Sequence, residues 1–270
     1  MVQLYLFGSL RILKDGQPVQ NKLSLKAQAL LCYLVVTKRP ITRHAVAGML
    51  LGDVSEEKAK ISLRVALSMV RKLFPNLLDI GRQRLAVAPE ATFWLDVDSF
   101  AKALTADPQA KAASWQETAA LYEADFLTDF HMEKALQYEE WLMTERAFWQ
   151  QKALGWFKLL GERLLAERQF SNAVLVLQKQ LKIEPWEEAS HRELMHLYAR
   201  MGQFEQAIKQ YQRCQAALQQ ELDLSPMPKT TDLYERVVAA RQAIPPLLPM
   251  TDCRFVGRQQ ELHQLVDMLL

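Results

Sequence analysis

The hydrophobic positions of the first 40 residues change their spacing once. Apolar residues alternate with polar ones over residues 2–19, on either side of an Asp15-Gly16 pair, which predicts short antiparallel strands joined by a turn. From Leu23 onward the apolar residues recur three and four positions apart, as on one face of a helix, until Pro40. A small sheet followed by a helix is therefore predicted.

Two more helices and a hairpin are predicted to follow. Thr42 is a suitable N-cap for a helix that closes near Gly52. The next helix spans about residues 55–74, about residues 78–87 have the pattern of a β-hairpin, and a last short strand lies around residues 93–95. This order is typical of the OmpR/PhoB-type winged helix-turn-helix, in which one helix enters the major groove of DNA and the hairpin, or wing, contacts the backbone.

The helix over residues 55–74 has two dissimilar faces. Leu63, Leu67 and Val70 fall on the side that packs in the core. The other side combines basic, hydroxyl and β-branched residues, which are Lys58, Lys60, Ile61, Arg64, Val65, Ser68, Arg71 and Lys72. The cations suit phosphates or guanine edges, and the β-branched pair suits thymine methyl groups. The alternative is a solvated basic face, although exposed β-branched residues amid charge favour contact with a ligand.

The predicted wing and the distribution of charge point to the same partner. Arg82 and Arg84 flank the turn of the hairpin, where they would follow DNA phosphates, although arginines are also common in turns. Residues 1–97 carry 14 lysines and arginines against 7 acidic residues, a net charge of +7, whereas residues 98–270 carry a net charge of −5. A basic front half predicts a polyanion partner for that half alone.

From Phe100 onward the pattern is helical and contains a repeat. Helices are predicted over residues 101–105, 114–125 and 135–167. The segment Arg168-Gln169-Phe170-x-x-Ala173-Val174 matches Gly202-Gln203-Phe204-x-x-Ala207-Ile208 at an offset of 34 residues, the period of the tetratricopeptide repeat (TPR). Small residues such as Gly161 suit the close approach of paired helices. An all-α, TPR-like domain is predicted, and either its groove binds a peptide or another protein or its two repeats serve only for packing.

The last residues predict a linker and the start of another module. Residues 242–254 contain three prolines, which favour an extended linker. Phe255-Val256-Gly257-Arg258 then opens a helical pattern similar to the segment that begins AAA+/STAND-type nucleotide-binding modules. Residues 255–270 are therefore expected to be the truncated start of such a module. No Gly-Lys-Ser/Thr triplet for phosphate binding occurs in the sequence, so ATP is expected only for a part of the protein further on.

Residues 1–240 resemble the front half of the Streptomyces antibiotic regulatory proteins (SARPs) and related regulators. The matching motifs in the first part are Leu6-Phe7-Gly8-x-Leu10, Lys26-x-x-Ala29-Leu30-Leu31-x-Tyr33-Leu34 and Ser62-Leu63-Arg64-x-Ala66-Leu67-Ser68-x-Val70-Arg71. Those in the second part are Leu95-Asp96-Val97-Asp98-x-Phe100, Leu121-Tyr122, Phe126-Leu127 and Glu140-Trp141-Leu142-x-x-x-Arg146. Two positions depart from the family pattern, since Leu51 replaces a frequent tryptophan and Gln83-Arg84 replaces a frequent Gly-Tyr of the wing.

The resemblance implies an OmpR-type winged helix over residues 1–97 and a bacterial transcriptional activator domain of TPR-like helices over residues 98–241. It implies a sequence-specific transcription activator that binds double-stranded DNA, contacts RNA polymerase and occupies repeated half-sites as a homodimer. The helical domain would serve dimerisation, signal coupling or polymerase contact. The alternative is a signalling adaptor whose winged helix and TPR groove both bind protein partners.

The residues give no support for an enzyme. The five histidines lack HExxH or HxH spacing, and the three cysteines form no CxxC pair, which argues against a metal site and a disulfide framework. No GxSxG motif occurs. No leader peptide is expected, and no apolar run approaches the roughly 18 residues of a membrane span. The expectation is a non-enzymatic, cytoplasmic protein that needs no cofactor of its own.

Overall fold

The chain forms two compact units, the first over residues 1–153 and the second from residue 154 onward. The structure, a computed structural model, describes residues 1–52, 55–105 and 112–243. Seven short strands and ten α-helices occur among those residues. All seven strands belong to the first unit, and the described part of the second unit is helical.

A four-stranded sheet opens the first unit. Its strands, in the order β3-β2-β1-β7, are β1 (Val2–Tyr5), β2 (Arg11–Lys14), β3 (Gln17–Pro18) and β7 (Phe93–Leu95). Asp15 and Gly16 join β2 to β3 with φ angles of 51° and 78°, the left-handed pair that a two-residue type I′ hairpin turn requires. β1 and β2 are antiparallel as predicted, whereas β7 pairs with β1 in parallel.

Three helices follow the first three strands. α1 (Leu25–Thr37) begins after Ser24, whose hydroxyl accepts the N–H of Ala27 at 3.3 Å. α2 (Arg43–Leu51) begins after Thr42, and the hydroxyl of Thr42 accepts a backbone N–H of the first turn, which confirms its predicted role as an N-cap. α3 spans Glu56–Leu73, close to the predicted bounds.

A three-stranded sheet lies beside these helices. Its strands, in the order β4-β6-β5, are β4 (Ile41–Thr42), β5 (Leu78–Ile80) and β6 (Arg84–Val87). β5 and β6 form the predicted hairpin, and β4 pairs antiparallel with β6 immediately before α2 begins. The start of α2 is therefore hydrogen-bonded to the hairpin through the backbone.

The N-terminal sheet shares its core with the helices that come after β7. These helices are α4 (Asp96–Leu104), α5 (Ala112–Leu121) and α6 (Leu136–Ala166). The buried ring of Phe7 packs against Phe100, Tyr122 and Trp149, with ring centroids 5.4, 4.9 and 5.5 Å away. Tilted and edge-on geometries of this kind are favourable between aromatic rings. The residues on either side of position 97 therefore pack in one hydrophobic core.

Backbone pairing strengthens this connection. The N–H of Leu127 donates to the Leu6 carbonyl at 2.7 Å, and the N–H of Gly8 donates to the Asp125 carbonyl at 2.9 Å. The guanidinium of Arg146 donates to the carbonyl groups of the same loop, those of Phe126, Leu127 and Phe130. One arginine of α6 thus satisfies three acceptors of the segment that extends the sheet.

Asp96 is a buried carboxylate at the junction of β7 and α4. Only 1% of the residue is exposed, and its oxygens accept the N–H groups of Leu6, Phe7 and Val97 at 2.7–2.8 Å. Burial raises the pKa of this carboxyl to about 6, although the amide donors act in the opposite direction. A single side chain therefore joins the end of β1 to the start of α4.

The second unit repeats one type of connection between helices. Its further helices are α7 (Phe170–Ile183), α8 (Glu188–Arg200), α9 (Phe204–Leu222) and α10 (Pro228–Ala243). Before α7, the N–H of Gln169 donates to the Leu164 carbonyl at 2.8 Å, and 34 residues later the N–H of Gln203 donates to the Tyr198 carbonyl at 2.7 Å. The sequence repeat thus has a counterpart in the backbone, while its classification as TPR stays a prediction.

The predicted fold class, mainly helical with a small N-terminal sheet ahead of an all-helical part, is confirmed. The helix predicted over residues 101–105 is wrong at its start, because α4 begins at Asp96, directly after β7 ends at Leu95. α10 extends to residue 243 and so includes the first two residues of the predicted linker. The rest of the linker and the predicted nucleotide-binding start lie outside the described residues. The domain boundary at residues 97 and 98 stays a prediction.

Candidate nucleic-acid interface

α3 buries one face and exposes the other. Its buried residues are Ala59, Leu63, Ala66, Leu67 and Val70. Every α3 residue predicted to contact DNA is exposed, namely Lys58, Lys60, Ile61, Arg64, Val65, Ser68, Arg71 and Lys72. The helix therefore brings these eight side chains onto one solvent-facing surface, which is called the α3 surface below.

Two aliphatic side chains lie on the α3 surface without cover. Ile61 is 58% exposed and Val65 is 55% exposed. They are four residues apart on the helix, so their side chains are neighbours, and Arg64 lies beside them. Removing aliphatic surface from water is favourable by about 25 cal/mol per Å². A ligand that covers this pair therefore gains affinity from contact with it.

The cations of the α3 surface differ in how far their charge is already compensated. Lys60 lies 2.9 Å from a carboxylate oxygen of Glu56 and 3.3 Å from one of Glu57. Hydrogen bonds to these two acceptors raise the pKa of Lys60. In the part of the chain that the structure describes, four other cations of this surface form no ion pair, namely Lys58, Arg64, Arg71 and Lys72. These four are available to an external anion.

The hairpin of β5 and β6, called the wing below, carries the two predicted arginines. Arg82 and Arg84 are both exposed. The turn is tight at Gly81, where a Cβ atom would lie 3.1 Å from the Arg84 carbonyl oxygen. Arg82 is thus presented on the turn and Arg84 at the start of β6, and there is little space for a larger residue at position 81.

Arg43, the first residue of α2, connects that helix to the turn of the wing. Its backbone N–H donates to the Gln83 carbonyl at 2.9 Å, and its side-chain Nε–H donates to the Gly81 carbonyl at 3.0 Å. Sequence reasoning missed Arg43, and the available signal was its position directly after the N-cap Thr42, facing the predicted hairpin in this fold.

A groove of about 570 Å³ lies between α2, α3 and the wing. The basic residues that line it are Arg43, His44, Lys60, Arg64 and Arg82. Glu56 is the acidic residue among the described residues of its lining. The groove therefore favours anionic groups and joins the α3 surface to the wing in a single basic region.

Other chemistries find less support in the described residues. No cluster of three or more histidines, cysteines or acidic residues among them could hold a metal ion. Cys32 and Cys214 are buried free thiols, and burial raises the pKa of the Cys214 thiol to about 12. None of the helices described is both long and apolar enough to cross a membrane. The basic region around α3 is the strongest candidate site.

Residues 91–238, more than half of the chain, match the family model described as "Bacterial transcriptional activator domain". The chain belongs to this family. The bacterial transcriptional activator domain begins just ahead of β7 and ends within α10. It therefore contains α4, α5 and α6, whereas the α3 surface and the wing precede it.

The fold of this family member is similar to that of a solved structure, "Mycobacterium tuberculosis EmbR in complex with low affinity phosphopeptide". The superposition covers 99% of this chain and 69% of that chain, with a TM-score of 0.60 and 20% sequence identity. At this identity the likeness concerns the fold alone. No curated protein sequence matches the chain. The assignment of the α3 surface and the wing as DNA contacts stays a prediction.

Proposed function

We propose that this protein is a sequence-specific DNA-binding transcription regulator of the SARP type, whose first 97 residues act as an OmpR-type winged helix. The observation that carries the proposal is the composition of the α3 surface, where uncompensated cations surround two exposed aliphatic side chains. A helix about 10–12 Å across fits the major groove of B-DNA, which is about 12 Å wide. Membership of a transcriptional activator family supports the same conclusion.

Each kind of side chain has its own role in this proposal. Arg64 donates to a guanine edge, and Ile61 and Val65 contact thymine methyl groups beside it. The other basic and hydroxyl groups of the α3 surface bind phosphates, which position the helix without reading sequence. Arg82 and Arg84 bind phosphates of the adjoining backbone.

The helical part of the chain has the remaining roles in this proposal. Its TPR-like helices support dimerisation on repeated half-sites, contact with RNA polymerase, or coupling to a nucleotide-binding module that begins at residues 255–270. The shared core of the first unit supports this role, because Phe7 and Tyr33 of the DNA-binding part pack directly on residues of the family domain.

The proposal is tested by selecting duplexes from a randomised pool with the 270-residue chain. Affinity for the selected duplex, a scrambled duplex and polyglutamate is then measured at several salt concentrations. We expect preference for the selected duplex and a log–log salt slope of several units, since each phosphate contact contributes about 0.9. Equal binding of polyglutamate, without selection of any sequence, would indicate the protein-binding adaptor instead.

Substitutions on α3 identify the surface responsible. Arg64→Ala combined with Lys72→Ala is expected to weaken binding of the selected duplex about 10- to 100-fold, because a base-edge contact and a phosphate contact are lost. Lys102→Ala combined with Lys134→Ala, two exposed lysines outside α3, is the matched control for the loss of two positive charges. Equal effects of the two changes would mean that α3 is not the reading helix.

A further inference from the structure

The wing turn is held from both sides of Arg82 by one residue. Arg43 donates its backbone N–H to the carbonyl of Gln83 and its Nε–H to the carbonyl of Gly81. These two carbonyl groups belong to the residues immediately before and after Arg82. The Arg82 side chain is exposed between them. The direction in which Arg82 leaves the turn is thus set by the contacts of Arg43.

The base of the wing is fixed by the buried side chains of Leu78 and Leu85 and by packing of β6 on α1, so the part that depends on Arg43 is the turn. β5 has three residues and β6 has four, and a two-stranded hairpin of this size is marginally stable by itself. Its outer connection is the two-residue strand β4, in which Ile41 pairs with Leu85 and Thr42 pairs with Arg84. Arg43 extends this connection to the turn of the wing. Its side-chain donor belongs to a positively charged guanidinium, and this charge strengthens the hydrogen bond to the Gly81 carbonyl.

The helix that carries Arg43 is itself fixed against the core. Val46, Met49 and Leu50 of α2 are buried, and α2 packs on α3. The contacts of Arg43 therefore connect the turn of the wing to α2, which in turn packs on the helix that carries the α3 surface. Arg43 also lines the groove between α2, α3 and the wing.

We infer that Arg43 is a positioning residue for DNA binding, which fixes the distance between the wing arginines and the α3 surface and so determines which backbone phosphate Arg82 reaches. This inference rests on the proposed function, since it concerns how the same interface is assembled. Arg43 acts through the carbonyl groups of Gly81 and Gln83.

Two substitutions of Arg43 separate its hydrogen bond from its charge. In Arg43→Gln the Nε2 amide is attached to Cδ, as Nε is in arginine, so a neutral N–H remains within reach of Gly81. Arg43→Met has similar length and no side-chain donor, and the backbone N–H that donates to Gln83 remains in both variants. With the selected duplex we expect Arg43→Met to weaken binding about tenfold and Arg43→Gln to restore most of the loss. Equal losses in both variants, each with a salt slope lowered by about 0.9, would show direct phosphate binding and overturn the inference.

A second readout is whether the effect of Arg43→Met on DNA binding depends on the presence of Arg82. If Arg43 only stabilised the fold, its effect would not depend on Arg82. In an Arg82→Ala background, Arg43→Met is expected to weaken binding less than about twofold, because the group that it positions is gone. The same loss in both backgrounds would overturn the inference. Urea denaturation of each variant identifies any general loss of folding.

A measurement without DNA separates this inference from the proposed function. Amide hydrogen exchange over residues 81–87 is expected to be faster in Arg43→Met than in the unmodified chain and in Arg43→Gln, while exchange in α3 is unchanged. If no duplex is selected but the wing exchanges as expected, the proposed function fails and the anchoring of the wing holds. Unchanged hydrogen exchange over residues 81–87 in Arg43→Met would show that the Arg43 side chain does not hold the wing, and would overturn the inference.

Discussion

Asp96 binds three backbone N–H groups, and two of them belong to residues 89 and 90 positions earlier in the chain. Its pKa is raised by burial from 3.8 to about 6, so the folded state takes up a proton more readily than the unfolded state does. The stability that protonated Asp96 contributes is therefore complete below about pH 4 and is lost as the pH rises through about 6.

Replacement by asparagine tests this dependence. Asp96→Asn cannot titrate, so we expect the free energy of unfolding of the unmodified chain to fall relative to that of the variant by about 3 kcal/mol between about pH 4 and about pH 7. Urea denaturation at several pH values measures both curves. A constant difference between the two proteins across this range would contradict the raised pKa.

Residues differ in how visible their roles are in the sequence. The exposure of Ile61, Arg64 and Val65 followed from the projection of a single helix, since neighbours on a helix surface are close in sequence. Arg43 could not be found in this way, because its acceptors at Gly81 and Gln83 come about 40 residues later and depend on how the wing folds back. The role of a contact across the fold is invisible until the fold is known.

At the scale of elements, the two repeated connections of the second unit form an internal comparison. Arg168 and Gly202 occupy equivalent positions with φ of 56° and 72°. Left-handed backbone is costly for a residue with a Cβ atom, by roughly 1–2 kcal/mol, and free of that cost for glycine. The backbone of the first turn is therefore strained at Arg168, whereas the equivalent turn at Gly202 is not strained.

Exchanging these residues is expected to have opposite effects. Gly202→Ala is predicted to lower the free energy of unfolding by about 1 kcal/mol, and Arg168→Gly is predicted to raise it by less, because glycine also increases the freedom of the unfolded chain. Thermal unfolding of both variants checks the signs. A stabilised Gly202→Ala would mean that this turn adopts another conformation.

Elements that depend on local spacing were predictable, and those that depend on distant partners were not. The bounds of α3, the N-cap at Thr42 and the wing follow from hydrophobic period and capping residues. The parallel pairing of β7 with β1 joins residues about 90 positions apart, and no local pattern indicates it. The early start of α4 has the same origin, because Asp96 is held by the amides that follow β1.

At the scale of the whole molecule, the first unit extends well past the predicted DNA-binding part. A fragment of residues 1–97 lacks Phe100, Tyr122 and Trp149, which cover the ring of Phe7. We expect this fragment to lose cooperative unfolding in urea, whereas residues 1–153 keep it, because burial of several large aromatic side chains contributes most of the stability of such a core. Identical denaturation midpoints would show that residues 1–97 fold independently.

The interlocked aromatic core around Phe7 also has a consequence for how such regulators diversify. Proteins built from independent domains acquire new targets by recombination, which replaces one DNA-binding domain with another. In this chain a crossover at residue 97 would join two halves of one hydrophobic core from different proteins. Phe7 would then pack against residues with which it had not been selected. Under the proposed function, the DNA-binding part and the helical part are expected to be inherited as a pair, and new target sequences are expected to arise by substitutions on the α3 surface.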